Sequence, residues 1–89
     1  MKHLEMKISG MVQGVWFRAS ARDKAVELGL TGFARNETDG SVFIEAEGPA
    51  ETLQDFLKWA QNGPERARVD HVEYLFDDEL KHFTNFNTL

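Results

Sequence analysis

Apolar side chains fall on every second position at Leu4, Met6 and Ile8, and Val12 lands on the same face after a glycine. That alternation predicts a half-buried strand over residues 4–12. From Phe17 the period lengthens: Phe17, Ala21, Ala25 and Leu28 recur at spacings of four and three, the narrow apolar stripe of a helix. Gly29 suits the left-handed position that closes it. A second short strand follows from Leu30 to Asn36. Thr38-Asp39-Gly40-Ser41 then supplies an Asp-Gly turn between two extended runs, a hairpin signal. In the third strand Val42, Ile44 and Ala46 alternate with Phe43, Glu45 and Glu47, and Gly48 ends it. Pro49 suits the first position of a second helix, with Glu51 in its first turn. Leu53, Phe56, Leu57 and Ala60 form that helix's buried stripe, and Asn62-Gly63-Pro64 stops it. A fourth strand is expected over 66–77, its alternation slipping between Val69 and Val72 as at a bulge or a late start. Phe83 to Phe86 marks a short fifth strand.

Strand, helix, hairpin, helix, strand is the βαββαβ order of the ferredoxin-like split βαβ folds. The expectation is an α+β protein, one domain over residues 1–89, with two helices on one face of an antiparallel sheet. Right-handed crossovers place the first four strands in the order 4-1-3-2.

Composition narrows the function more by exclusion than by assertion. Hydrophobic residues at 42% and charged ones at 28% are ordinary globular values and argue against disorder. The chain has no cysteine, which removes disulfides, thiolate chemistry and Cys-ligated metals. A formal net charge of -5 argues against nucleic acid, whose affinity rests on neutralising phosphates with Lys and Arg. No apolar run has membrane-spanning length and no signal-peptide core is present, so a cytoplasmic protein is expected. His3, His71 and His82 are scattered without paired ligand spacing, so no metal site is expected. Ser9, Ser20 and Ser41 have no histidine nearby in sequence to activate them, although Ser20 suits a buttress for the loop before the first helix. Asp77-Asp78-Glu79 reads as a solvated turn. The Gly-Lys-Ser/Thr of a nucleotide-binding phosphate loop is missing.

One stretch carries chemistry. Gly10-Met11-Val12-Gln13-Gly14-Val15-Trp16-Phe17-Arg18 joins the first strand to the first helix. A strand-to-helix turn with two glycines can point several main-chain N–H groups at one spot, and the helix N-terminus adds its partial positive charge. Arg18 falls in or near the first helical turn, where the helix dipole disfavours a cation unless an anion sits between them. Each feature has a plainer reading: a solvated arginine, glycines for a tight turn, and an Asn36 that merely precedes a hairpin. Their convergence favours function. In the split βαβ order, the loop after strand one and the end of strand two meet at one edge of the sheet.

The run from Gly10 to Arg18 resembles the first signature of the acylphosphatases at every fixed position. Gly32-Phe33-Ala34-Arg35-Asn36, followed by Gly40, Val42 and Gly48, resembles the second. The likeness covers essentially the whole chain, and is loosest at Phe83-Thr84-Asn85-Phe86-Asn87-Thr88-Leu89. It implies hydrolysis of an acyl phosphate to a carboxylate and inorganic phosphate, with no metal or cofactor. Arg18 would be the catalytic, phosphate-binding arginine. The N–H groups of Gln13, Gly14, Val15, Trp16, Phe17 and Arg18 would cradle the phosphate, and Asn36 would place the attacking water. A small-molecule acyl phosphate, with inorganic phosphate as product or inhibitor, is then the expected partner of a monomer that binds neither nucleic acid nor membrane. Trp16 and Phe17 suit packing, with Trp16 able to border the acyl group. The competing class is a binding module, since ferredoxin-like domains also recognise RNA or small ligands, or a carbamoyl phosphate site within a larger protein.

Overall fold

The computed structural model describes all residues from Met1 to Leu89. Strand β1 (Lys2–Met11) leads into helix α1 (Phe17–Glu27); β2 (Thr31–Asn36) and β3 (Val42–Gly48) form the hairpin. Helix α2 (Ala50–Asn62), β4 (Arg68–Asp77) and β5 (Phe86–Thr88) complete the chain. The strands form one sheet in the order β4-β1-β3-β2-β5. Pairing places Leu4 against Ala46 and Phe76, and Met6 against Ile44, so the even positions of β1 share a face with the even positions of β3. That face is the apolar one. Leu4, Met6, Ile8, Val42, Ile44 and Ala46 are buried there beneath Phe17, Ala21 and Ala25 of α1 and Leu53, Phe56 and Ala60 of α2. No helix is long and apolar enough to cross a membrane.

The slip expected in the fourth strand is a bulge. Ser9 pairs with His71 and Gly10 with Val69, so Asp70 stands opposite no residue of β1. Several boundaries differ from the sequence reading: β1 runs over Lys2–Met11 where 4–12 was expected, and β2 starts at Thr31 where Leu30 was expected. Pro49 caps α2 instead of starting it, because its ψ of 143° is extended although its φ of -60° would suit a helix. β4 starts two residues later than expected, since Ala67 N–H donates to Pro64 O across a turn. β5 starts at Phe86, while Phe83 lies edge-on to Phe33 with centroids 5.8 Å apart.

The fifth strand also changes the character of the sheet. β5 runs parallel to β2, so a sheet expected to be antiparallel is mixed. The reason is topological. β4 ends beside the start of β1, the end of the sheet at which β2 also starts. The chain crosses from one edge to the other at that end and must then run alongside β2 in the same direction.

Buried carboxylates hold this crossing segment. Glu47 accepts from the main-chain N–H of Lys81 at 2.6 Å and of His82 at 3.0 Å. Glu45 accepts from His3 Nε2 and from Lys81 Nζ, both at 2.7 Å. His3 Nδ1 reaches the Asp77 carboxylate at 3.2 Å. Only 5% of Glu45 and 3% of Glu47 is exposed, although both lie on the sheet face away from the helices. The stretch expected as a solvated turn is thus tied down at two points, Asp77 on His3 and Asp78 on Lys2.

Burial opposes the charged form of His3, but hydrogen bonds and charge from Glu45 and Asp77 outweigh it and raise its pKa above 6.5. Burial likewise opposes ionisation of Glu45, yet Lys81 and His3 draw its pKa below 4.5. A raised histidine stabilises the fold below its unfolded pKa and loses that contribution as pH rises through its folded one. A lowered carboxylate contributes above its unfolded pKa and loses that contribution as pH falls through its folded one. The network therefore holds best at mildly acidic pH. Urea midpoints should decline as pH rises beyond neutrality, and His3→Gln should flatten that decline; equal slopes in the two proteins would refute the assignment. Glu47→Ala leaves two amides without their acceptor and should cost about 2–4 kcal/mol in the same assay.

Candidate active site

Residues 13–16 lie between β1 and α1 and belong to neither. Gly14 has φ 74° and Trp16 φ 65°, so two of the four residues are left-handed. Alternating handedness tilts successive N–H groups to one side of the chain, which makes a concave ring of donors. Those donors are free: none of Gln13, Gly14, Val15 and Trp16 donates a main-chain hydrogen bond outside the helices and strands. Helix α1 adds to the effect. Its cap residue, Trp16, supplies no side-chain acceptor, and its first turn contains no acidic residue. Both usual partners of a helix N-terminus are missing.

The loop is held in place from both ends. Phe17 is almost wholly buried, packed 5.4 Å from the Trp59 ring. A glycine at position 63 makes the room, since a Cβ there would stand 2.6 Å from the Phe17 ring. At the other end the Gln13 side chain donates to Glu37 O at 2.7 Å and Ser41 O at 2.9 Å, latching the loop to the β2–β3 hairpin. Sequence reasoning valued Gln13 only for its main-chain N–H; the use of its side chain depends on the hairpin's position.

Arg18 Nη1 donates to the main-chain oxygen of Leu89 at 2.6 Å. Leu89 N–H in turn donates to Ala34 O at 2.9 Å, so β5 sets the guanidinium at the C-terminal end of β2. Arg35 and Arg68 are each engaged by a carboxylate at 3.1 and 3.0 Å. Arg18, by contrast, pairs with no Asp or Glu side chain and is held only through the Leu89 main-chain oxygen. Gly14, Trp16, Phe17, Arg18, Ala19 and Thr88 line a cavity of about 370 Å³ at this point. Thr88 and Leu89 carried no signal in the sequence, because their place follows from the parallel pairing of β5.

Asn36 ends β2. It pairs with Val42 and shares the helix-side face with Ala34 and Ile44. Its Oδ1 is inaccessible to solvent and has no hydrogen-bond partner. An orphaned acceptor of this kind calls for a donor, and no group of the protein supplies one. Asn36 does not line the cavity, but it precedes Glu37, the residue that Gln13 grips. Four of the residues expected at the site, Gly14, Trp16, Phe17 and Arg18, are thus gathered round one space. Val15 packs half-buried against the core, and Ser20 meets the loop through its main-chain N–H on Trp16 O.

One cluster has metal-ligand chemistry: ligand atoms of His3, Glu5 and Glu45 lie within 4.8 Å of one another. The strand register brings them together, which histidine spacing cannot reveal. The Lys81 ammonium already sits on the same Glu45 oxygen that His3 uses, so a metal ion would have to displace an ion pair.

The acylphosphatase family model matches residues 4–88. An acylphosphatase of Methylococcus capsulatus is 46% identical over 89 residues, which is all of this chain and 97% of that protein. The crystal structure of acylphosphatase from Bacillus subtilis superposes with a TM-score of 0.97 at 31% identity, covering 100% of this chain and 99% of that one. The same fold recurs in full-length HypF, with a TM-score of 0.90 at 25% identity, where it covers 99% of this chain but 12% of the larger one.

The latch makes its own prediction. Gln13→Ala leaves the Glu37 and Ser41 oxygens one donor short and should cost about 1–2 kcal/mol in urea. Amide hydrogen exchange should accelerate across residues 13–18 beyond what global destabilisation explains. Unchanged exchange there would show that the loop keeps its shape without the latch.

Proposed function

The chain belongs to the acylphosphatase family, a family of hydrolases acting on acid anhydrides, and on that premise we propose how it cleaves acyl phosphates to carboxylate and inorganic phosphate. The phosphoryl group lies in the ring of N–H donors from Gln13 to Arg18, with the Arg18 guanidinium across it. Asn36 Oδ1 accepts a hydrogen bond from a water and directs the water's lone pair at phosphorus, in line with the bond to the acyl oxygen. A P–O bond to the water forms as the P–O bond to the acyl oxygen breaks, and the carboxylate leaves with the electron pair. Both protons of the water stay on the orthophosphate. Because a carboxylate is a good leaving group, the reaction requires no strong general acid, and a phosphate oxygen takes the proton that a base would otherwise remove. What the protein supplies is position and charge, the two quantities that dominate phosphoryl transfer.

The observation that carries this reading is the pairing of opposite deficits: donors without acceptors in the loop, and an acceptor without a donor at Asn36. A phosphate satisfies the first, and a water the second once the Asn36 side chain turns its Oδ1 out to meet it. With benzoyl phosphate as substrate, Asn36→Ala should lower kcat by ~10²–10³ while leaving inhibition by inorganic phosphate nearly unchanged. Arg18→Ala should weaken phosphate inhibition and turnover together. Equal kcat in Asn36→Ala and the parent would eliminate the water-directing role. A chelator should leave the rate unaltered, and loss of activity in chelator would overturn the metal-independent scheme.

A further inference from the structure

We propose that the Trp16 indole is the acyl-side platform of the site, against which the organic half of the substrate lies, and that the enzyme accordingly favours acyl phosphates with an aromatic or extended apolar acyl group. The inference rests on the reading above and adds the substrate class to it. Trp16 occupies a left-handed conformation, φ 65° and ψ 22°, which bulky L residues rarely adopt. Such conformations persist where the surroundings impose them, and they concentrate at binding sites. Packing does not repay the cost here, because 74% of Trp16 is exposed. The chain's other tryptophan shows the contrast: Trp59 packs on Phe17 and stacks on Phe56, with centroids 5.4 and 5.9 Å away. Trp16 makes no aromatic contact.

Its position supplies a purpose. Trp16 shares the 370 Å³ cavity with Arg18, and the rest of the wall is Gly14, Phe17, Ala19 and Thr88. That volume falls in the range of pockets that take small organic molecules. The wall bears one charge; Trp16 and Ala19 give it apolar surface, and the Thr88 hydroxyl and main-chain groups make the remainder polar. Phosphate bound by the N–H ring and Arg18 therefore has an apolar ledge beside it, and the anhydride oxygen is the point at which the substrate passes from one to the other. A flat acyl group can lie face-to-face or edge-on against the indole, a contact with a preferred geometry as well as buried area. An acetyl group is too short to gain much from it.

The test compares kcat/KM for benzoyl phosphate and acetyl phosphate in the parent, Trp16→Asn and Trp16→Phe. Asparagine tolerates the left-handed backbone, so it removes the ring while keeping the loop's shape; phenylalanine restores a ring. Taking the ratio of the two substrates within each variant cancels any general loss of activity from a disturbed cradle. Inhibition by benzylphosphonate relative to methylphosphonate gives a second ratio that survives even if a variant turns over too slowly to assay. Both ratios should fall about five- to tenfold in Trp16→Asn and stay within about twofold of the parent in Trp16→Phe. Ratios unchanged in Trp16→Asn, or lowered equally in both variants, would overturn the platform. A parent that hydrolyses neither acyl phosphate would instead remove the catalytic reading on which it stands.

Discussion

Main-chain amides without a protein acceptor gather here in four consecutive residues, two of them exposed, so that only water or a bound anion can satisfy them. Nothing inside the protein relieves that deficit, so the loop keeps its shape only because its surroundings leave it no alternative. Phe17 is pinned in the core at one end, and Gln13 is latched to the hairpin at the other. Left-handed Gly14 and Trp16 lie between them. The strain and the empty donors belong together. A loop free to relax would turn its N–H groups apart or to neighbouring carbonyls, and the concavity would vanish.

A second constraint acts from the far face of the sheet. The buried carboxylates Glu45 and Glu47 hold the segment that crosses from β4 to β5, using two main-chain amides, one lysine and one histidine. That segment delivers β5 to the edge of β2, and β5 places the Leu89 oxygen that orients Arg18. The ionic network is thus coupled to the position of the guanidinium through continuous backbone, although it touches nothing in the cavity. The sheet divides the labour: its helix side carries the core and the site, and its open side carries the ion pairs that complete the fold.

Much of the fold was legible because it depends on local period and local punctuation. The alternation in β1 and β3, the stripes of α1 and α2, the Asp-Gly turn and the slip in β4 all reached the structure in the places expected. The proposed cradle was legible for a related reason. A contiguous run, Gln13 to Arg18, supplies both the donors and the cation, so no distant contact is needed to recognise it. Boundaries fared less well at Pro49 and around Ala67, where a cap and a turn end or delay an element without altering its apolar pattern.

By itself, then, the sequence determined the order of elements, the core face of each, and the cluster of residues from Gly10 to Arg18, because each rests on side chains close together in the chain. Only the tertiary structure decided the direction of β5, the burial of Glu45 and Glu47, the latch of Gln13 and the contact between Arg18 and Leu89. Those arise between residues 24 to 71 positions apart, or from where a crossing segment happens to land, and no local period records them. Asn36 lies between the two cases. Its place at the end of a strand was readable, but the isolation of its buried oxygen exists only once the sheet has closed around it.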